Sequence, residues 1–530
     1  MKTIYYGTIL TMEDEYPSVE AVCVEDGVIQ AVGSLADIMA VKDDTTRCVD
    51  LKDQVMMPAF IDPHSHFVGV ANSLSQCDLR EVKSFDELVE TMRKFAQERN
   101  IQPGEWIQGT GYDHNFLLEQ KHPDRHILDR ISTVCPIVIH HASSHMGVMN
   151  TMGLQEMGLN ENTEDPDGGR YGREDDGSLS GYMEENAYIS LVNKIPMITV
   201  DKLMELIREA QGIYARYGIT TVQDGFVGRP LFQLLDHAAK SGLLYLDVVG
   251  YVDLEHERSL CQEHPEYVKS YQNHFKIGGY KIFLDGSPQG RTAWMSTPYQ
   301  GEDEDYFGYP IVEDSHLHDL IENAMKDDMQ LLAHCNGDAA AQQYLDQFQC
   351  VVREHPDLDT NRPVMIHAQL VREDQLKLMC PLHMIPSFFV AHTYYWGDIH
   401  IQNFGKKRAD HISPTKSAQQ LKIPFTLHQD SPVVHPDMMH TVWCAVNRLT
   451  RKGVVLGNAE RISPYEALKA VTIHAAYQYF EEERKGSIAK GKIADLVILE
   501  RNPLTCDTTA LADIKVMETI KEGKTVYQHS

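Results

Sequence analysis

The pattern of apolar and polar positions changes texture twice along the 530-residue chain. Over residues 1–56, short apolar runs alternate with turn residues, which predicts strands at 3–10, 19–25, 28–32 and 46–50. Glu25-Asp26-Gly27 is a hairpin turn between the second and third runs. The far end has the same texture, with strands expected at 494–499 and 516–520 and a turn at Glu522-Gly523-Lys524-Thr525. Two β-rich ends around a long middle predict a small composite β-sandwich, built from residues 1–56 and 476–530.

From residue 57 to 475, short apolar β runs alternate with helical stretches, the signature of parallel βα units. Candidate strands lie at 57–63, 219–223, 246–252, 280–284, 330–333, 364–366, 385–390 and 424–427. Eight such units close a (β/α)8 barrel, so the expected class is α/β with a TIM-like barrel. The gap between the first two strands is too long for one helix. A large α/β insertion is therefore expected over about 75–205. It holds strand-like 106–109 and 136–140, helix-like 84–99, and a Gly/Asp/Glu-rich exposed loop at 161–181.

This strand map brings chemistry into view, because barrel active sites form at the carboxyl ends of the strands. The first strand runs into the breaker pair Asp62-Pro63 and then His64-Ser65-His66. Side chains two apart on an extended segment point the same way, so His64 and His66 can share one cation. Strand four contains Lys281, strand five ends at His334, strand six at His367, and strand eight runs into His428-Gln429-Asp430. The spacing fits: His334 to His367 is one βα unit, and His367 to Asp430 is two. Four imidazoles, an amine and a carboxylate thus converge on one rim. Neutral imidazoles and a carboxylate suit zinc best, and also manganese or iron; one ion or two remains open.

Composition narrows the partners. The net charge is −29, from 77 acidic and 48 basic residues, which repels phosphate backbones and anionic membranes. Nucleic acid and membrane are therefore not expected as partners. The first residues, Met1-Lys2-Thr3-Ile4-Tyr5-Tyr6-Gly7, do not read as a signal peptide, and no apolar stretch is long enough to span a bilayer. The ten cysteines include no CxxC pair, which fits free thiols in a reducing cytoplasm. The expected partner is a small-molecule substrate, with a homodimer as one open assembly state.

The ordered set HxH, Lys, His, His, Asp on strands one, four, five, six and eight resembles the amidohydrolase superfamily. The β-rich ends resemble its composite sandwich. The phrases at 57–67, 280–293 (YKIFLDGSPQGRTA), 334–340 (HCNGDAA), 366–371 (IHAQLV), 428–433 (HQDSPV) and 490–500 (KGKIADLVILE) resemble its YtcJ-like branch, which includes N-substituted formamide deformylases. The resemblance implies that His64, His66 and Asp430 hold one metal. It implies that His334 and His367 hold a second or complete the first, and that Lys281 is a carboxylated lysine bridging two ions. It also implies hydrolysis of a C–N bond in an amide or an N-formyl or N-acyl amine. On physical grounds Asp430 is placed to take a proton from attacking water and pass it to the departing amine. Two other readings stay open: hydrolytic deamination of a cyclic amidine, and a catalytically silent metal-binding protein on the same fold.

Further candidates for substrate contact lie around this set. His145, in 140–145, aligns with a histidine of the YtcJ-like branch although the surrounding phrase departs from it. Arg291 carries a planar fork suited to a carboxylate, in a glycine-bearing loop that Asp285 begins. Trp396, after strand seven, can wall an apolar pocket. Tyr112-Asp113 and Asp224 are weaker candidates.

Overall fold

The computed structural model describes residues 2–529 apart from 142–144, 193, 196–197 and 302–305. The chain divides into two compact units, residues 1–69 with 207–530, and residues 70–206.

The first unit contains an eight-stranded parallel sheet, paired in chain order from first strand to last. Its strands are Phe60–Ile61, Ile219–Val227, Asp247–Asp253, Phe275–Phe283, Gln330–Cys335, Val364–His367, Ile385–Phe388 and Thr426–Leu427. Each overlaps a candidate read from the sequence, and helices separate them as a TIM-like α/β fold requires. Every residue of several strands is buried, which is why their apolar runs are continuous rather than alternating. The helix Asp338–Glu354 shows how the outer layer packs. It buries Ala340, Ala341, Tyr344, Leu345, Phe348 and Val351, a stripe at the three-to-four spacing of one helical face. Each large apolar side chain buried this way contributes roughly 1.5–3 kcal/mol, so truncating Phe348 to alanine costs about 3–5 kcal/mol.

The first strand is shorter than expected. Residues 55–58 belong to another strand, Arg47–Pro58, and only Phe60–Ile61 join the parallel sheet. Gly218 makes that junction: it sits at φ +81°, and a Cβ there would lie 2.9 Å from the Phe60 ring. The ends of the sheet meet at the carboxyl rim. The Asp430 N–H donates to the His64 carbonyl at 3.1 Å, and the His66 N–H donates to the Ser431 carbonyl at 2.7 Å.

The two ends of the chain share one seven-stranded sheet. Its order is Lys524–Gln528, Val516–Lys521, Leu496–Leu499, Arg47–Pro58, Lys2–Leu10, Ser18–Glu25 and Val28–Gly33. These strands are paired into one continuous sheet, in which the long strand Arg47–Pro58 has neighbours on both edges. It runs antiparallel to Leu496–Leu499 and parallel to Lys2–Leu10. Ile9, Val22, Val24, Ile29, Met56, Leu496, Ile498 and Ile520 form one buried cluster on it. The turn at Asp26-Gly27 has both residues at positive φ, +50° and +81°, as a two-residue hairpin demands.

The second unit has a six-stranded sheet in the order Gly169–Arg173, Leu179–Glu185, Met146–Met149, Ile137–His141, Ile107–Tyr112 and Gln76–Asp78. The helix Phe85–Glu98 begins where expected. Ser84 caps it, accepting from the Glu87 N–H at 3.2 Å, and Phe85, Leu88, Val89 and Met92 are buried. The exposed loop expected at 161–181 instead contains most of a hairpin. Arg173 stabilises it by donating to the carbonyls of Glu161 and Gly177 at 3.0 and 3.1 Å. Such polar strands give no apolar alternation to read. All ten cysteines are free. Among the described residues, no helix is long and apolar enough to cross a membrane.

Candidate metal centre

Strands one, six and eight bring the core of the site together. His64, His367 and Asp430 are buried, and one ligand atom from each lies within 4.8 Å of the others. His64 Nε2 is 3.5 Å and His66 Nε2 3.4 Å from Asp430 Oδ1, and His367 Nε2 is 4.0 Å from Asp430 Oδ2. His367 and Asp430 hold left-handed backbone, at φ +70° and +55°. Non-glycine residues in that region cost on the order of 1–3 kcal/mol and cluster where geometry serves a site. Here the strain turns both side chains onto the rim.

Hydrogen bonding fixes which imidazole nitrogen faces inward. Gln223 Nε2 donates to the Pro63 carbonyl at 2.7 Å and to the Tyr479 hydroxyl at 3.0 Å, so Gln223 Oε1 is an acceptor. It lies 2.6 Å from His64 Nδ1, which must therefore carry the proton. Burial, together with the charge of Lys281, holds the His64 pKa well below its usual value, so the ring is neutral. Its Nε2 lone pair then faces the carboxylate of Asp430. Two acceptors aimed at one another inside the protein fit a cation between them. His367 Nδ1 lies 3.1 Å from His428 Nε2, and His428 Nδ1 lies 2.8 Å from Ser387 Oγ. With protons relayed outward along this chain, from His367 to His428 to Ser387, His367 Nε2 is also left as a lone pair toward the centre.

Lys281 is 1% exposed, and its Nζ has no hydrogen-bond partner among the described residues. Burial pulls its pKa down to about 7, against the opposing charge of Asp430. The amine rests 5.1 Å over the Phe283 ring. His334 packs edge-on against His367, with centroids 4.7 Å apart. Its Nε2 faces Asn336 Nδ2 at 3.3 Å and its Nδ1 lies 3.4 Å from Asp285 Oδ1. Among the described residues, Asp430 Oδ1, Lys281 Nζ and His334 Nδ1 are all buried without a normal hydrogen bond, the condition of groups that await a cation or another ligand.

The remaining candidates are placed as follows. Asp285 is buried, and its carboxylate accepts the backbone N–H groups of Asn336, Gly337 and Trp294 at 2.9, 2.7 and 3.1 Å. It ties the loops after strands four and five together, and forms no ion pair with Lys281 among the described residues. Arg291 sits at φ +56° and donates from Nε to Asn403 Oδ1 at 3.0 Å. Trp396 belongs to an aromatic wall after strand seven, 5.2 Å from His392 and 5.9 Å from Phe389, with Phe389 6.1 Å from His367. Asp224 is buried and accepts the Val68 N–H at 2.9 Å, which positions the turn that carries His66. In the second unit, Tyr112 is buried with its hydroxyl 3.0 Å from His122 Nδ1, and the exposed His145 pairs with Glu185 at 3.1 Å. Residues 142–144 of the 140–145 phrase lie outside the described residues.

Gln223, His428 and Ser387 were not singled out in the sequence. His428 had a readable signal: it stands two residues before Asp430, at the spacing that shares a face. Gln223 and Ser387 had none, because each acts on a histidine far away in the chain.

With this geometry in hand, comparison with known proteins decides the family. The amidohydrolase family matches residues 47–527. This chain belongs to the amidohydrolase family. Among its relatives, YtcJ of Bacillus subtilis (strain 168) is 27% identical over 544 residues, covering 100% of both chains. The N-substituted formamide deformylase of Arthrobacter pascens is 25% identical over 544 residues, covering 99% of this chain and 98% of that one. An uncharacterized metal-dependent hydrolase from Pyrococcus furiosus superposes with a TM-score of 0.76 at 26% identity, over 95% of this chain and 100% of that one. The amidohydrolase described here is a metal-dependent hydrolase that works with a divalent cation.

Proposed function

We propose that this amidohydrolase cleaves the C–N bond of a small amide, with N-formyl and N-acyl amines as the substrate class. The observation that carries the reading is the facing pair of His64 Nε2 and Asp430 Oδ1, flanked by His66 and His367 and by a buried Lys281 whose amine has no hydrogen-bond partner among the described residues. The full-length likeness to a protein named N-substituted formamide deformylase supports the substrate class.

His64, His66 and Asp430 would hold one cation, and His334 and His367 would hold a second or complete the first, with zinc the ion best suited to these donors. When bound, the cation supplies Lewis acidity, which lowers the pKa of a water toward about 7 and polarises a carbonyl. Lys281, whose amine burial leaves partly unprotonated near neutral pH, can add carbon dioxide: an Nζ–C bond forms, a proton leaves to solvent, and the carbamate would offer two oxygens as ligands. Asp430 takes a proton from the attacking water. When the C–N bond breaks, it returns that proton to the amine nitrogen, while the water oxygen stays on the acid product. Phe389 and Trp396 provide an apolar wall for the substituent on nitrogen.

The test is a panel of N-formyl and N-acyl amines assayed for released amine, before and after chelation and zinc readdition. Amine release that is lost on chelation and restored by zinc is expected. Ammonia release from cyclic amidines, with every amide untouched, would replace this reading by a deaminase.

A further inference from the structure

The sheet of the second unit carries a group of ligand atoms that the hydrolase centre does not use. Its strands Ile107–Tyr112 and Ile137–His141 are parallel neighbours, with Tyr112 opposite His141. Their carboxyl ends therefore lie side by side. The chain leaves the first strand directly into Asp113-His114, and His141 is the last residue of the second.

These three residues meet closely. His114 Nδ1 is 3.2 Å from His141 Nε2, and Asp113 Oδ1 is 3.8 Å from His114 Nδ1 and 3.7 Å from His141 Nε2. The three separations define a point about 2.1 Å from every one of the three atoms, the bond length of zinc to imidazole or carboxylate. A hydrogen bond between the imidazoles would explain the 3.2 Å contact alone. It would not bring one carboxylate oxygen to nearly equal distances from both nitrogens.

The surroundings hold this geometry in place. Asp113 Oδ1 accepts from the Asn115 backbone and side-chain nitrogens, both at 2.9 Å, which orients the carboxylate. The His122 ring lies over His114 with centroids 4.0 Å apart, and the Tyr112 hydroxyl reaches His122 Nδ1. His141 is 8% exposed, whereas the side chains of His114 and Asp113 are 28% and 27% exposed, so an ion can arrive from one side and keep a water there.

We propose that Asp113, His114 and His141 form a second metal site, selective for a divalent transition ion such as zinc, that cross-links the ends of two adjacent strands in residues 70–206. Two imidazoles and one carboxylate are donors for zinc rather than for magnesium or calcium, which take oxygen ligands. The site staples the segment after Tyr112 to the sheet, and it stands or falls independently of the substrate of the hydrolase centre.

Metal content of the full-length, zinc-loaded protein tests it. His114→Gln/His141→Gln is expected to lose one equivalent of zinc per chain, both in the parent protein and in a His64→Asn/His66→Asn background. Cobalt in place of zinc should lose the matching part of its visible d–d absorption. An unchanged count in both backgrounds overturns the proposal and leaves the contact as an imidazole hydrogen bond. Should the double variant not fold, Asp113→Asn, which can keep both Asn115 contacts, is expected to weaken zinc binding by tenfold or more at one class of site. Affinity unchanged at every site would equally overturn it.

Discussion

Replacing Asp430 by asparagine separates its chemistry from its shape. Residue 430 sits at φ +55°, a conformation that asparagine and aspartate tolerate better than other side chains. Asp430→Asn therefore keeps the backbone, where alanine would add about 1–2 kcal/mol of strain. It keeps one oxygen at the point that His64 and His66 approach to 3.5 and 3.4 Å. It removes the group that takes and returns a proton. Positioned acid–base catalysis contributes typically about 10²–10⁴-fold, so kcat is expected to fall about 1,000-fold, a barrier rise of roughly 4 kcal/mol. KM should change little, and most of the metal should stay, because the imidazoles remain. The assay is initial-rate kinetics on an amide substrate beside metal analysis of the same preparation. A variant that keeps its metal and runs within tenfold of the parent rate would refute the role given to Asp430.

Other outcomes follow from the same structure. Gln223→Leu removes the acceptor that fixes the His64 tautomer, 2.6 Å from its Nδ1, and should weaken metal binding about 10–100-fold in a competition titration without unfolding the protein. Lys281→Met should lower the zinc count at the barrel centre, read by metal analysis of the folded protein; an unchanged count would remove Lys281 from the ligand set. Arg291→Ala should raise KM for anionic substrates only, in steady-state kinetics with matched charged and neutral amides. Asp247 is buried against Lys485 and Lys521 at 2.5 and 2.7 Å, and Glu481 pairs with Lys276 at 2.6 Å. Burial opposes both charges, yet the lysines hold Asp247 well below the usual carboxylate range and Glu481 down to about 2. The stabilisation from these depressed carboxylates is complete above the unfolded-state pKa of about 4 and drains away as pH falls toward about 2. Asp247→Asn should flatten that acid limb in melts taken from pH 6 to 3. It should also cost about 3 kcal/mol, the low end for a broken buried pair, since Lys485 keeps Glu481 and Lys521 keeps Asp495.

The order of the barrel strands was legible because a parallel strand covered on both faces must be apolar throughout, as at Val364–His367. His64, His66, His367 and Asp430 were legible for the same reason: a polar side chain ending such a run stands at the rim. Less legible was the first strand, where one apolar run from Val55 to Ile61 serves two sheets and only Gly218, over 150 residues later, marks the division. Of the partners that orient the ligands, Gln223 beside His64 and Ser387 beside His428 depend on contacts that no local pattern encodes, whereas His428 stands at the spacing that shares a face with Asp430. The hairpin around Arg173 was hidden because its buried residues Tyr171, Leu179 and Met183 stand among glycine and charged positions that break any apolar run.

The seven-stranded sheet imposes a timetable on synthesis. Arg47–Pro58 emerges from the ribosome early, while its antiparallel neighbour Leu496–Leu499 comes more than 400 residues later. At roughly 5–20 residues per second, that edge waits on the order of 20–90 s for its mate. A nascent chain thus carries an unzipped, apolar β edge for that interval. Cooler growth or abundant holdase chaperones should raise the soluble yield more than any change at the rim of the barrel.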